Sequence, residues 1–240
     1  MRASLMITCV CDALYPSVGV AATDVLRSLG VEVDFPAGQV CCGQAAFNSG
    51  FREEARRAAR AYLRAFRGSD HVVSVSGSCT AMVRGYPALL AGSRDEAEAT
   101  ALAERTFEFS EFLTDVLRVE RLPVRLQARA TLHHSCHTLR HLGVKEQPEQ
   151  LLRMVDGLDY VPLARSEECC GFGGTFAVTM PAISSSLVDD KARRVLETRA
   201  DLLIGLDMSC LMNIGGRLRR LGATTGVKHL AEVLAEGWQA

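Results

Sequence analysis

The sequence predicts an α/β protein of two tandem, pseudo-two-fold-related halves, each a small parallel sheet flanked by helices. Two observations carry this prediction. Short apolar segments typical of strands alternate with longer segments of helical periodicity. A four-cysteine pattern also occurs twice at nearly constant spacing. We place the halves at residues 1–122 and 128–240, with a junction near 120–128, where Pro123 and scattered arginines interrupt the periodic pattern.

The cysteine pattern is an adjacent pair followed by glycine, with one cysteine upstream and one downstream. The upstream gaps are 31 and 32 residues, and the downstream gaps are 36 and 39. Eight of the nine cysteines fit this pattern, and Cys11 is left over as a bystander. The first set is Cys9, Cys41, Cys42 and Cys79, and the second set is Cys136, Cys169, Cys170 and Cys210.

Elements of the first half follow in a regular order. Strands are predicted at residues 4–10, 31–35 and 72–75, and helices at 16–29 and 53–67. The arginine run of the second helix is expected to be a solvated face. Gly77-Ser78-Cys79 is expected to lead into another helix, and the charged, alanine-rich residues 92–101 into a helical excursion on the surface.

The second half repeats this order, with strands predicted at 130–133, 158–162 and 202–205 and a helix at 183–199. Residues 109–113 resemble residues 230–234, which extends the repeat beyond the cysteines. Ligands of parallel α/β sheets gather at the carboxyl ends of the strands. The single cysteines all lie at or just after predicted strands, so each set is expected to converge.

Composition excludes several classes of function. A formal net charge of −1 provides no basic excess for nucleic acid. The sequence has no run of 18 apolar residues, so we expect no membrane span. The apolar run at residues 5–10 is broken by Asp12 and lacks a cleavage site, so we expect a cytoplasmic protein. Cysteines in that reducing compartment favour metal ligation or reactive thiols over disulfides.

Thiolates are soft ligands that suit zinc or iron–sulfur clusters. Adjacent cysteines bind one ion awkwardly, whereas they can reach two irons of a polynuclear cluster. Four thiolates match the ligand count of a [4Fe–4S] cluster, and we predict one cluster per half. Zinc at one or both sets stays open as an alternative, and individual cysteines are often plain core residues.

Three histidines crowd Cys136: His133, His134 and His137. The first half has no equivalents, so we expect hydrogen bonding rather than ligation from them. His133 and His137 are the weak candidates for acid–base chemistry. The glycine-rich residues 170–175 lack the Lys-Ser/Thr of a P-loop, and we predict a flexible turn there.

The flanking residues of both sets carry a family resemblance. The matching segments are Thr8-Cys9, Cys41-Cys42-Gly43-Gln44, Gly77-Ser78-Cys79, His133 with Ser135-Cys136, Cys169-Cys170-Gly171-Phe172-Gly173-Gly174-Thr175-Phe176, Ser209-Cys210-Leu211 and His229-Leu230-Ala231-Glu232-Val233-Leu234. With these motifs the chain resembles the cysteine-rich CCG-domain proteins, and most closely the LutA/YkgE family.

This resemblance implies an iron–sulfur oxidoreductase subunit for electron transfer in a complex that oxidises L-lactate to pyruvate. LutB-like and LutC-like subunits would be its partners. Heterodisulfide-reductase and glycolate-oxidase subunits carry the same units, and in the former a fifth cysteine completes each set. Met82 and Asn213 stand at the corresponding positions, which disfavours disulfide reduction. The cysteine sets would also suit a zinc-binding structural or regulatory protein, or a thiol-disulfide enzyme that uses the adjacent pairs.

Overall fold

The computed structural model describes residues 1–239 and divides the chain into two compact units, Met1–Phe109 and the part from Ser110 onward. The first unit contains, in order, β1 (Arg2–Met6), α1 (Cys9–Leu14), α2 (Pro16–Ser28), β2 (Glu32–Asp34), α3 (Gln44–Asn48), α4 (Arg52–Phe66), β3 (Val72–Ser74), α5 (Gly77–Arg84), α6 (Tyr86–Leu89), α7 (Glu96–Glu104) and β4 (Thr106–Glu108).

The remaining elements follow from Phe109, the last residue of the first unit. They are α8 (Phe109–Glu111), the π-helix π1 (Phe112–Val116), β5 (Arg125–His133), the π-helix π2 (Thr138–Leu142), α9 (Glu146–Arg153), β6 (Asp156–Tyr160), α10 (Phe176–Thr179), α11 (Pro181–Glu197), β7 (Leu202–Gly205), α12 (Met208–Arg220), β8 (Gly226–His229) and α13 (Leu230–Glu236).

Both units contain a four-stranded, fully parallel sheet of the same strand order. The orders are β2-β1-β3-β4 and β6-β5-β7-β8. The final residue of β1, Met6, pairs in register with Ser74 of β3. In the second sheet, His133 of β5 pairs with Gly205 of β7. The predicted α/β fold with two similar halves is therefore confirmed, and Met6 and His133 occupy matching positions.

Helix α4 shows how the sequence builds the first core. Ala55, Ala59, Tyr62 and Phe66 share one face and are fully buried, as the helical period requires. The Tyr62 and Phe66 rings stack with centroids 4.4 Å apart. Arg56, Arg57 and Arg60 lie on the other face in ion pairs with nearby acids, so this face is solvated, as predicted.

The buried face of α11 repeats that of α4 at a constant distance of 129 residues. Buried positions 55, 59, 62, 63 and 66 correspond to 184, 188, 191, 192 and 195. The repeat thus preserves which side of the helix faces the core. It does not preserve the residue type, because Tyr62 corresponds to Lys191.

Three expectations need correction. Residues 110–122, predicted in the first half, belong to the second unit, where π1 packs against α9 and Gln147 Nε2 donates to Asp115 at 2.9 Å. The predicted junction also overlaps β5, which begins at Arg125. Helix α7 is more than a surface excursion, because Ala99 and Leu102 are buried in the core.

Strands β4 and β8 are additions that the sequence patterns did not predict. No helix within residues 1–239 combines the length and the apolar character needed to cross a membrane.

Candidate metal centres

The first cysteine set is assembled from two helix starts and one loop. Cys9 opens α1, whose N-cap Thr8 accepts a hydrogen bond from a backbone N–H of the first turn. Cys79 is the third residue of α5, and its N–H donates to the side chain of the N-cap Ser76 at 3.3 Å. Cys41 and Cys42 lie in the loop between β2 and α3. Short strands followed by capped helices therefore bring distant cysteines together.

The four thiols of the first set form a row from the surface into the core. The Sγ atoms of Cys9 and Cys41 are 3.7 Å apart, and both residues are exposed. Cys42 is hydrogen-bonded to Cys41 and to Cys79, and both inner residues of this row, Cys42 and Cys79, are buried. All four residues of the predicted first set are thus neighbours.

Proton sharing along this row separates the thiol pKa values. Hydrogen bonds from Cys42 and then Cys9 hold the pKa of Cys41 well below its usual range. The hydrogen bond to Cys41 is the main cause of the raised pKa of Cys42 and of Cys9. The row therefore stabilises one thiolate among protonated neighbours. A bound metal would replace those protons, because thiolates are the metal-binding form.

The second set has the same order of contacts. Cys136 follows Ser135, whose hydroxyl accepts the N–H of Thr138 at 3.2 Å. Hydrogen bonds link Cys136 to Cys169, Cys169 to Cys170, and Cys170 to Cys210. Those with Cys136 and Cys170 lower the pKa of Cys169 well below its usual range. The two inner thiols, Cys170 and Cys210, are again the buried ones.

A glycine follows each cysteine pair in the left-handed region, with φ of +84° at Gly43 and +81° at Gly171. A Cβ on Gly43 would lie 3.0 Å from the Cβ of Ala58, and one on Gly171 only 2.5 Å from the carbonyl oxygen of Ser184. Glycine thus permits both the turn and the close approach of the loop to the following long helix. The Gly171 N–H donates to Cys169 Sγ at 3.3 Å.

In each adjacent cysteine pair, the backbone carbonyl of the second cysteine accepts a hydrogen bond from a side chain. In the first unit, the Tyr86 hydroxyl donates to the Cys42 carbonyl at 2.8 Å. In the second, Asn213 Nδ2 donates to the Cys170 carbonyl at the same distance. Asn213, which stands where a fifth thiolate would be, therefore anchors the cysteine loop.

His133 lies closest to the inner thiols of the second set. A ring nitrogen of His133 and the sulfurs of Cys170 and Cys210 lie within 4.8 Å of one another. The side chain is 1% exposed, and within residues 1–239 neither ring nitrogen has a hydrogen-bond partner. Burial, then Lys191 and His134, lowers the pKa of His133 to about 3, whereas Cys169 and then the Ser166 backbone oppose this shift.

The other two histidines are placed differently. His134 is buried, with Nδ1 3.1 Å from Ser166 Oγ and Nε2 3.2 Å from the Lys145 carbonyl oxygen. His137 Nδ1 lies 3.6 Å from Cys136 Sγ, and its ring stacks on His141. His134 thus has the hydrogen-bonding role expected from the sequence, whereas His137 borders the outer thiols.

Lys191 is a functional side chain that the sequence patterns did not single out. Its side chain is almost fully buried, and Nζ donates to the carbonyls of Arg165 at 2.8 Å and Ser166 at 3.2 Å. Burial lowers its pKa. Lys191 fixes the loop that leads into Cys169. A lysine on the apolar face of α11, at the position of Tyr62, is the sequence signal that could have revealed it.

A cavity of about 320 Å³ borders the second set. Asn213 and Phe172 line it near the cysteine loop, and Arg217 and Arg220 contribute positive charge. Arg217 pairs with Asp189. The cavity therefore has a mixed polar and apolar lining, and Asn213, which lines it, also donates to the Cys170 carbonyl.

The donor sets fit a metal or cluster. Each offers four sulfurs in contact, two of them buried, beside a loop that a Cβ would obstruct at the glycine. Capped helix starts at Cys79 and Cys210 place positive helix ends toward the thiolates. The ninth cysteine, Cys11, is buried within α1.

Two tandem α/β units with equivalent cysteine sets define the class of cysteine-rich CCG-domain proteins. The cysteine-rich domain family CCG matches residues 4–84 and 130–215. A protein named lactate utilization protein A from Geobacillus sp. (strain WCH70) is 50% identical over 98% of this chain and 99% of its own length. The protein of that name from Geobacillus kaustophilus (strain HTA426) is 51% identical over 98% of each chain. The chain belongs to the lactate utilization protein A family.

A solved structure supports the fold alone. It is described as a hypothetical protein from Helicobacter pylori, with a TM-score of 0.70 and 10% sequence identity. The match covers 100% of this chain and 49% of that one, so this chain spans about half the length of that protein.

Proposed function

We propose that the protein is the iron–sulfur electron-transfer subunit of a complex that oxidises L-lactate to pyruvate in lactate utilisation. One observation carries the proposal: two four-cysteine sets with the same surface-to-core order of contacts. The names of the relatives supply the substrate. Oxidation of a 2-hydroxy acid to a 2-oxo acid releases two electrons and two protons, so two one-electron centres match the reaction.

Within this proposal, one [4Fe–4S] cluster is held per unit, by the four thiolates of each set. Each cluster, when bound, supplies reversible one-electron transfer. The chain's own residues would hold and tune it. The Gly171 N–H already donates to a ligand sulfur, and hydrogen bonds of this kind raise the reduction potential of thiolate-bound clusters.

Exposure differs along each thiol row in a way that suits electron exchange. Cys9 and Cys41 reach the surface, whereas Cys42 and Cys79 face the core. An electron could therefore enter or leave at the outer edge of a centre without the inner thiolates meeting solvent. We propose that LutB-like and LutC-like subunits approach at such edges and provide the site for lactate.

We assign no catalytic residue to this chain. His133 is neutral at physiological pH and buried, and His137 is half-buried beside Cys136. They remain the weak candidates for moving a proton. The proposed function therefore needs partner subunits, in the cytoplasm, for the substrate chemistry.

Anaerobic purification followed by iron, sulfide and zinc assays tests the cofactor. We expect two clusters per chain, with about half the iron lost in Cys41→Ser and in Cys169→Ser. Electron paramagnetic resonance of the reduced protein should lose a different signal in each variant. Stoichiometric zinc without acid-labile sulfide would contradict the proposal.

The role in lactate oxidation needs a separate test. Deletion of the gene should abolish growth on L-lactate, and the wild-type gene should restore it while Cys41→Ser should not. Tagged protein should co-purify with LutB-like and LutC-like subunits. Normal growth of the deletion strain, in a background without another lactate oxidase, would refute the substrate assignment.

Zinc at the second set is the second candidate. The mixed group of His133, Cys170 and Cys210 supplies three of the four donors that a structural zinc site needs, and it supports the alternative of a zinc-binding structural or regulatory protein. The same metal assays on Cys169→Ser decide between the two.

A further inference from the structure

His133 is a buried polar residue whose position in the core does not by itself require a polar side chain. It ends β5 in a fully covered position, and in the described part of the chain no group meets full hydrogen-bond geometry at either ring nitrogen, the Ser166 backbone being a weaker contact. Burying an imidazole without partners is unfavourable, because both nitrogens lose water. Such a residue persists where something else satisfies it.

The surroundings of the ring indicate what that partner is. A ring nitrogen lies within 4.8 Å of the sulfurs of Cys170 and Cys210, the two buried thiols of the second set. One ion or iron atom in contact with all three donors would satisfy the ring at the same time as the thiolates. Neutral imidazole is a common metal ligand.

The first unit supplies an internal comparison. Met6 ends β1 in the same strand position, 127 residues before His133, as Cys9 is 127 residues before Cys136. Met6 is buried and packs in the core with Cys42 and Cys79. The fold therefore accepts an apolar residue at this position, and a histidine there is not required for packing.

The neighbouring histidines do not compete for this role. Both ring nitrogens of His134 face protein oxygens, on Ser166 and Lys145. His137 contacts the outer thiol Cys136 and stacks on another ring. Among these three histidines, only His133 is both close to the inner thiols and without a partner of full hydrogen-bond geometry among residues 1–239.

We propose that a ring nitrogen of His133 ligates the metal centre of the second cysteine set, so that this centre has mixed nitrogen and sulfur donors while the first is all-thiolate. This inference rests on the proposed function, in that it takes the second set to hold a metal. It replaces the expectation of a hydrogen-bonding role.

Pulsed electron paramagnetic resonance of the anaerobically reconstituted, reduced full-length protein tests the ligand directly. A metal-bound imidazole nitrogen gives a strong hyperfine coupling to the unpaired electron. We expect this coupling in wild type, with the isotope change that follows when the protein is made with histidine labelled in heavy nitrogen. We expect its complete loss in His133→Met, the substitution that copies the first unit.

Two control variants separate ligation from structural effects. His134→Gln removes a buried histidine that hydrogen-bonds instead, and His137→Gln removes the one beside Cys136; both should keep the coupling. Thermal unfolding of metal-free His133→Met checks folding. If that variant does not fold, His133→Leu replaces it, while wild type with labelled histidine shows whether any histidine ligates the centre.

The outcomes distinguish the two proposals. Normal iron and sulfide with no histidine coupling in wild type, or a coupling that survives in His133→Met, overturns this inference alone. A wild-type protein that assembles no cluster overturns the proposed function and this inference together. Loss of the coupling in His133→Met, with retention in both controls, is the supporting result.

Discussion

The glycine after the second cysteine pair is the most demanding backbone position of the site. We consider Gly171→Ala, with Gly174→Ala as the matched control. Both glycines have positive φ, +81° and +64°, so alanine is strained at either position. They differ in space: a Cβ on Gly171 meets the Ser184 carbonyl oxygen at 2.5 Å, whereas a Cβ on Gly174 meets nothing within 4 Å.

The geometry fixes the expected difference. A left-handed conformation costs a non-glycine residue about 1–2 kcal/mol, which both variants bear. Gly171→Ala must also push α11 away from the loop, and such overpacking costs typically about 1–3 kcal/mol. We expect losses in unfolding free energy of about 1–2 kcal/mol for Gly174→Ala and about 2–5 kcal/mol for Gly171→Ala.

Urea unfolding of the metal-free protein, followed by circular dichroism, measures both losses. The first unit is unchanged in either variant and serves as an internal reference if the two units unfold separately. Iron retention after reconstitution should fall in the same order. A difference between the variants below about 0.5 kcal/mol would show that the loop moves without cost, and would refute the argument from close approach.

Three further predictions use the same unfolding assay. Lys191→Met should lower the unfolding free energy by about 2 kcal/mol, because two carbonyls lose a charged donor; an unchanged value would contradict the anchoring role. Tyr86→Phe should lower the unfolding free energy by about 1 kcal/mol, because the Cys42 carbonyl loses its donor, and Asn213→Leu should have a similar effect at the Cys170 carbonyl. An unchanged unfolding free energy in either variant would show that the carbonyl finds another donor. The pKa of His133 is lowered to about 3, so between about pH 6.5 and 3 the unfolded state binds more protons than the folded state. The unfolding free energy of the metal-free protein should therefore fall as the pH drops through this range, and it should fall less steeply in His133→Met. Equal pH dependence of the unfolding free energy in wild type and variant would contradict this prediction.

Much of the fold can be predicted from the sequence, because the repeated cysteine spacing and the apolar strand segments are both visible in it. The strand predicted at 202–205 coincides with β7, whose residues are all buried. Strands β4 and β8 were missed because Thr106–Glu108 and Gly226–His229 are short and mix polar with apolar residues. Their pairing to β3 and β7 is a tertiary effect, which local periodicity does not encode.

The sequence predicts which cysteines belong together, because that depends on their spacing. It does not predict which of them are buried. Nearly equal gaps grouped the eight cysteines into two sets, and the structure brings the members of each set into contact. Which thiols lie inside was not visible, because that depends on how far each loop enters the core. The roles of Lys191 and Tyr86 were missed for the same reason: each acts on a backbone carbonyl distant in sequence.

The two units have equivalent cysteines but differ in the buried residues that surround them. Met6 corresponds to His133, Tyr62 to Lys191 and Met82 to Asn213, and each of the three second-unit residues is the more polar partner. Lys191 is near enough to act on both His133 and Cys170. A buried ammonium favours the more negative, reduced state of any redox centre beside it. The repeat thus preserves the cysteines while the inner residues differ, and within the proposed function a redox centre in the second unit would be easier to reduce than one in the first.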